Sequence, residues 1–117
     1  MIALQKGDVV LAVFPFSDLS QTKLRPAIVL WTSSTGQDVT ICFITSQSPN
    51  DVSTDEFLLQ PSDLEFLGTG LKLVSKVRVT KIASLERKLI TRRLGQLGNT
   101  YISILNTKII QAFQLNS

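Results

Sequence analysis

Two residues that can act on a phosphate group, Arg25 and Thr45, stand at the ends of apolar segments that we predict to be strands. Arg25 directly precedes the apolar run 26–32, and Thr45 ends the apolar run 39–45. The planar guanidinium of an arginine can hold two phosphate oxygens at once, and a threonine hydroxyl can donate a further hydrogen bond. Placed at neighbouring strand ends, this pair can bind and polarise a phosphodiester.

RNA demands little from an enzyme, because its 2′-hydroxyl already lies beside the scissile phosphorus. A protein has to align the attack, neutralise charge on the phosphoryl oxygens and help protons to move. Arg25 suits charge neutralisation, whereas an arginine stays protonated in proteins and is therefore a poor general base. The residue types alone leave the group that removes the 2′-proton unassigned.

The composition argues against several other kinds of hydrolase. The chain has no histidine, which removes Ser-His-Asp and Cys-His triads, the two-histidine ribonuclease mechanism and most zinc sites. The carboxylates are dispersed without the spacing of a two-metal nuclease, so we expect no metal and no cofactor. The single cysteine, Cys42, lies in an apolar run and predicts a buried thiol in a reducing compartment, the cytoplasm.

The positive charge of the chain is concentrated in residues 72–93. This segment has eight Lys or Arg residues and one Glu, whereas the rest of the chain has four basic and eight acidic residues. Strand alternation predicts that Lys76, Arg78 and Thr80 point outward together. Such a face favours a polyanionic ligand such as RNA, and a solvated charged surface is the alternative interpretation.

Short strands and one helix are the elements that have to position these residues. The sequence predicts strands at residues 9–14, 26–32, 39–45, 56–59 and 73–82, with tight turns between them. Asn99 is the predicted N-cap of a helix whose apolar face carries Ile102, Leu105, Ile109 and Phe113.

This organisation predicts a single, mainly β domain over residues 1–117, with five or six short strands in a curved sheet or barrel and a closing helix. No apolar run approaches the roughly 20 residues that a membrane-spanning helix needs. The low charge content leaves apolar surface for a partner chain, which is a hint of oligomerisation.

Three blocks carry a family resemblance: Gly7-Asp-Val-Val-Leu-Ala-Val-Phe-Pro, Arg25-Pro-Ala-Ile-Val-Leu and Ile41-Cys-Phe-Ile-Thr-Ser. In order and separation they resemble the MazF/PemK/Kid family of bacterial endoribonuclease toxins. A weaker similarity continues through Ser75-Lys-Val-Arg-Val-Thr-Lys to the terminal helix, so that the resemblance covers nearly the whole domain.

The resemblance implies a small SH3-like barrel of five to seven strands closed by a C-terminal helix and assembled as a homodimer. The implied activity is metal-independent, sequence-selective cleavage of single-stranded RNA, leaving a 2′,3′-cyclic phosphate and a 5′-hydroxyl and inhibited by a cognate antitoxin. The family's catalytic arginine and threonine fall on Arg25 and Thr45. Kid-like members carry an Arg-x-Asp pair where this chain has Arg78 and Thr80, so the Arg/Thr members are the better match.

Further RNA contacts are expected from side chains that flank the catalytic pair. The polar segment 17–23 precedes Arg25 and suits a lid that orders when RNA binds. The loop after Thr45 and the basic strand supply the remaining candidates. The predicted RNA-binding residues are Ser17, Gln21, Lys23, Ser46, Gln47, Lys76 and Arg78.

Two other functions stay open at this point. Gyrase-directed toxins of the same fold depend on a C-terminal Trp-Gly-Ile, whereas this chain ends Phe113-Gln-Leu-Asn-Ser. A non-catalytic SH3-like binding module, or a degenerate toxin without activity, is the other alternative. An SH3 peptide groove needs clustered exposed aromatic side chains, and the chain has one Trp and one Tyr.

Overall fold

A computed structural model describes residues 3–14 and 23–116 of the chain. In these residues it contains six strands and one α-helix. They are β1 (Asp8–Val13), β2 (Leu24–Thr32), β3 (Asp38–Thr45), β4 (Glu56–Leu59), β5 (Ser75–Glu86), β6 (Ile90–Gln96) and α1 (Asn99–Ala112). Single 3-10 turns lie at Leu67–Thr69 and Arg87–Leu89. No helix in the described ranges is long and apolar enough to cross a membrane.

The strands form one sheet in the order β4-β5-β3-β2-β1-β6, and every neighbouring pair is antiparallel. The prediction of a mainly β fold of five to seven strands with a C-terminal helix is confirmed. Within the described chain β4 and β6 remain the two edges, so the sheet is not closed into a continuous hydrogen-bonded barrel.

Each face of the sheet buries an apolar cluster of its own. On one face α1 packs Tyr101 and Leu105 against side chains of the sheet that include Val9 and Ile28. On the other face the buried cluster includes their immediate neighbours Val10 and Val29 together with Ala27, Ile41 and Phe43. Neighbouring residues alternate between the faces, which explains why the central strands are apolar at almost every position.

Cys42 lies at the centre of this arrangement and is fully buried, as predicted. Burial raises the pKa of its thiol to about 12, so the thiol is protonated at neutral pH. A protonated, inaccessible thiol is chemically inert, which makes Cys42 a packing residue.

β6 is the strand that the sequence does not predict. Its residues, Ile90–Gln96, include two exposed arginines and a glycine, so the segment lacks the apolar alternation of a strand. β6 nevertheless pairs with β1, through a register that shifts twice. β5 also continues to Glu86, beyond the predicted end at residue 82.

The backbone of β6 lies directly against the backbone of the 3-10 turn Leu67–Thr69. A Cβ atom added to Gly95 would lie 2.2 Å from the carbonyl oxygen of Gly68 and 2.7 Å from the carbonyl carbon of Thr69. Gly70 ends the turn with a φ of 75°, a left-handed conformation that favours glycine. Contact this close leaves no room for a side chain at residue 95.

A carboxylate from a distant part of the chain caps the N-terminus of α1. Gly98, rather than the predicted Asn99, is the N-cap, and it makes no side-chain cap bond. Glu65 instead accepts hydrogen bonds from the backbone N–H groups of Thr100 and Tyr101, both at 3.0 Å. The bonds satisfy two N–H groups that the helix leaves unpaired, and they lower the pKa of Glu65.

Acid should weaken this cap. Because the folded-state pKa of Glu65 lies below its unfolded value, ionised Glu65 stabilises the fold above the unfolded pKa, and this contribution is lost as the pH falls through the folded pKa. Glu65→Gln should therefore lower the Tm at pH 7, and its Tm difference from the wild type should shrink below about pH 4. Thermal unfolding by circular dichroism across this pH range measures the effect. A Tm difference that does not change with pH would contradict it.

Candidate functional site

Two clefts adjoin where β2 begins and β3 ends. The first cleft has a volume of about 140 Å³ and the second about 260 Å³. Arg25, Ile44, Thr45 and Gln47 line both of them. The first cleft is completed by Phe14, Phe43, Arg78 and Lys81, and the second by Pro26, Ser46, Leu71, Lys72, Leu73 and Ser75.

The register of the sheet brings Arg25 and Thr45 to the junction of the clefts. β2 and β3 pair with Ala27 opposite Phe43. Two residues earlier in β2 and two residues later in β3, the same register puts Arg25 opposite Thr45, and both side chains lie on one face of the sheet. The two strand ends are therefore neighbours, as the sequence predicts.

Arg25 is half-buried against an aromatic side chain. Its guanidinium carbon lies 5.6 Å from the ring centroid of Phe14, whose ring in turn meets that of Phe43 edge-on, with centroids 5.1 Å apart. Among the described residues, no acidic side chain forms an ion pair with Arg25. A cation–π contact orients a guanidinium without cancelling its charge, so Arg25 keeps a positive charge for an anionic ligand.

Thr45 is held by a local hydrogen bond. Its Oγ1 accepts a hydrogen bond from the backbone N–H of Gln47 at 3.1 Å. This contact occupies an acceptor position and fixes the side chain, while the hydroxyl hydrogen can still be donated to a ligand. Thr45 is thus suited to donate to an oxygen that Arg25 holds.

Two more cations reach the first cleft from β5. Arg78 lies opposite Phe43, and its side chain is 49% exposed. Lys81 lies in a bulge, because the register between β3 and β5 shifts between Cys42 and Phe43. The first cleft is therefore lined by three cationic side chains, and its described lining contains no carboxylate.

Of the other predicted RNA-binding residues considered next, three are exposed near the start of β2 or the end of β3, and two lie outside the described residues. Ser46 and Gln47 are exposed at the clefts, and Lys23 is exposed just before β2. Ser17 and Gln21 lie outside the residues that the structure describes, as does the rest of the predicted lid before Lys23.

The prediction that Lys76 points outward is wrong. It was expected to point outward with Arg78, but it is only 8% exposed and lines neither cleft. Its ammonium group donates to the backbone carbonyl of Asp51 at 2.7 Å and lies 3.3 Å from a carboxylate oxygen of Glu56. β4 and the loop before it cover this side chain, which alternation along β5 alone does not reveal.

Sequence reasoning also missed four residues of the first cleft, namely Phe14, Phe43, Ile44 and Lys81. Phe14 and Phe43 belong to strands that had been predicted, and strand alternation relates Phe43 to Thr45, so the register could have identified Phe43. Lys81 had no such signal, because its position depends on the bulge in β5.

The fold and the clefts define a mainly β domain with a cationic site at one end of its sheet. Residues 5–113 match the sequence profile of a family described as PemK-like, MazF-like toxins of type II toxin–antitoxin systems. The chain belongs to this family, which confirms the resemblance seen in the three sequence blocks. No curated protein sequence matches the chain significantly.

Solved structures of the same fold include a MazE–MazF complex from Deinococcus radiodurans, with a TM-score of 0.75, 18% identity and coverage of 99% of this chain and 100% of that chain. An endoribonuclease in complex with its cognate antitoxin from a mycobacterial species has a TM-score of 0.72 and 17% identity, covering 98% of this chain and 99% of that one. The Mycobacterium tuberculosis toxin MazF-mt6 has a TM-score of 0.71 and 20% identity, covering 94% and 99%. At these identities the similarity shows a shared fold.

Proposed function

We propose that this protein is an endoribonuclease toxin that cleaves single-stranded RNA by attack of the 2′-hydroxyl on the adjacent phosphorus. The observation that carries the proposal is the junction of the two clefts, where Arg25 and Thr45 lie on adjacent strand ends beside two further cations. Membership of the toxin family supports it. So does the endoribonuclease activity ascribed to two mycobacterial proteins of the same fold.

An RNA strand that passes from one cleft to the other has one phosphate at their junction. There Arg25 holds the non-bridging oxygens and stabilises the charge that develops as the 2′-oxygen attacks, while the Thr45 hydroxyl donates to the same group. The 2′-hydroxyl gives up its proton to water as its oxygen bonds to phosphorus, and the bond from phosphorus to the 5′-oxygen breaks with its electron pair left on that oxygen, which takes up a proton from water. The products are a 2′,3′-cyclic phosphate and a 5′-hydroxyl.

Sequence selectivity comes from the nucleotides on either side of this phosphate. The first cleft offers them aromatic rings and cations, and the second offers apolar side chains and Lys72. Ser46, Gln47 and Arg78 supply polar contacts, and Lys23 supplies charge near the entry to β2. Lys76 is left out of the binding surface because Glu56 and the Asp51 carbonyl occupy its ammonium group.

Digestion of a synthetic single-stranded RNA in EDTA tests the proposal, with both new ends mapped chemically. Guanidinium groups supply the positive charge in this mechanism, so cleavage should proceed in the chelator. It should occur at a restricted set of sites and leave cyclic phosphate and 5′-hydroxyl ends. Intact RNA, or ends with a 5′-phosphate, would contradict the mechanism.

Thr45→Val should slow cleavage by about 10²-fold, because one hydrogen-bond donor to the reacting phosphate is lost while the shape of the side chain is kept. Single-turnover rates on the mapped RNA measure this change. Thr80→Val is the matched control, since Thr80 is an exposed threonine of β5 that lines neither cleft. Equal rates for the two variants would remove Thr45 from the reaction.

We further propose a cytoplasmic homodimer that a cognate antitoxin inhibits by covering the cationic clefts. Two complexes of the same fold contain an antitoxin, which supports this partner. Exposed apolar side chains such as Trp31 and Leu67, 53% and 89% exposed, offer surface for a second copy. Light scattering on the purified chain measures the oligomeric state, and a monomer at micromolar concentration would contradict the dimer.

A further inference from the structure

Glu56, on β4, is a nearly buried carboxylate with three partners. Its side chain is 11% exposed. Oε1 accepts a hydrogen bond from the backbone N–H of Ser53 at 3.0 Å and lies 3.3 Å from the ammonium nitrogen of Lys76. Oε2 lies 3.3 Å from Nε of Arg78. These contacts fix the position of the carboxylate, which in turn binds Arg78, an arginine of the first cleft.

Glu56 stays ionised in this network. Burial alone raises the pKa of Glu56, but hydrogen bonds from Ser53 and Lys76 and the charge of Lys76 outweigh burial, so that the pKa lies below its ordinary value. The ammonium of Lys76 balances the carboxylate charge. The Arg78 charge thus remains in excess, and Arg78 can still attract an anion.

The position of Arg78 relates this network to the first cleft. In the sheet Arg78 lies between Glu56 on β4 and Phe43 on β3, and Phe43 lines the first cleft. With Nε bound to Glu56, the two terminal amino groups of the guanidinium are available to a ligand. A long arginine side chain without an anchor samples many rotamers, and ordering it on binding is costly.

We infer that Glu56 is a positioning residue for RNA cleavage. From its place on β4, Glu56 holds the guanidinium of Arg78 at the first cleft, so that Arg78 and Arg25 bind the substrate together. This inference rests on the proposed endoribonuclease function. The competing explanation is that Glu56 only stabilises the loop before β4 through Ser53 and Lys76. The two explanations differ in whether the effect of Glu56 depends on Arg78.

A double-mutant cycle between Glu56 and Arg78 separates them. Glu56→Gln keeps the size of the side chain and an oxygen that can accept from Ser53, but it removes the charge that attracts Arg78. We expect it to lower kcat/KM on the mapped RNA by about tenfold in the wild-type background, and by less than about twofold in the Arg78→Ala background. Equal losses in both backgrounds would overturn the inference.

Two further variants strengthen the test. Glu86→Gln removes the carboxylate of an exposed ion pair with Lys88 elsewhere on β5, and it should leave kcat/KM unchanged. Arg78→Lys keeps a positive charge at this position, but an ammonium lacks the fork that binds Glu56 and a phosphate together. We expect it to lose as much activity as Arg78→Ala, and wild-type activity for Arg78→Lys would count against the inference.

The outcomes also separate this inference from the proposed function. A wild-type protein that leaves RNA intact would overturn both. An active enzyme in which the Glu56 and Arg78 effects are additive would overturn the inference alone. Circular dichroism of each variant checks that the compared rates come from folded proteins.

Discussion

Arg25→Ala should abolish RNA cleavage while the protein stays folded. The side chain stands at the start of β2, half-buried against Phe14, and pairs with no acid among the described residues, so its charge is available to the substrate. Removing it takes away the group that stabilises the developing negative charge, and we expect a rate loss of about 10³-fold or more. Single-turnover cleavage of the mapped RNA in EDTA measures the loss.

Two controls make this result specific to the guanidinium. Arg25→Lys keeps the charge but loses the two-pronged contact with phosphate, so it should retain only a small part of the activity. Arg92→Ala removes the same charge from an exposed position on β6 that lines neither cleft, and it should retain the wild-type kcat. Near-wild-type cleavage by Arg25→Ala would place the reaction elsewhere on the protein.

Gly95→Ala should strongly destabilise the fold. The added methyl group would lie 2.2 Å from the carbonyl oxygen of Gly68, and its three nearest atoms are all backbone atoms of Gly68 and Thr69, which cannot move aside as a flexible side chain can. β6 would have to separate from the Leu67–Thr69 turn, at a cost of about 3 kcal/mol or more. This corresponds to a Tm lower by roughly 10 °C for a domain of this size.

Gly68→Ala is the matched control across the same contact. The nearest atom to its added methyl group is the carbonyl oxygen of Gln96 at 3.7 Å, an ordinary van der Waals distance, and the backbone there needs no left-handed conformation. We expect a change within about 1 kcal/mol. Urea unfolding of both variants measures the difference, and equal midpoints would show that the contact can relax.

The parts of the fold that depend on local pattern were predictable. The segments around Ile28 and Ile41 are apolar on both faces, which indicates central strands, and the positions of Arg25 and Thr45 at their ends follow from that prediction. β6 was not predictable, because its segment contains Arg92, Arg93 and Gly95 and has a low propensity to form a strand. Pairing with β1 makes it a strand nevertheless. Local propensity is a weak guide where such tertiary pairing decides the structure.

The same distinction applies to the candidate site. Adjacent antiparallel strands make neighbours of Arg25 and Thr45, so sequence reasoning could place this pair. The burial of Lys76 and the contact of Glu56 with Arg78 depend on how β4 and its preceding loop lie against β5. Contacts between residues about twenty positions apart carry no signal in strand alternation, which describes one strand at a time.

The buried thiol of Cys42 can report how often the native structure opens. Cys42 is the sole cysteine and has no exposed surface, so an alkylating reagent can reach it only when the surrounding strands separate. The labelling rate therefore measures how often the native state opens, without an engineered probe. A ligand that binds only the folded form will slow the labelling, so inhibitors of this toxin can be ranked without following RNA.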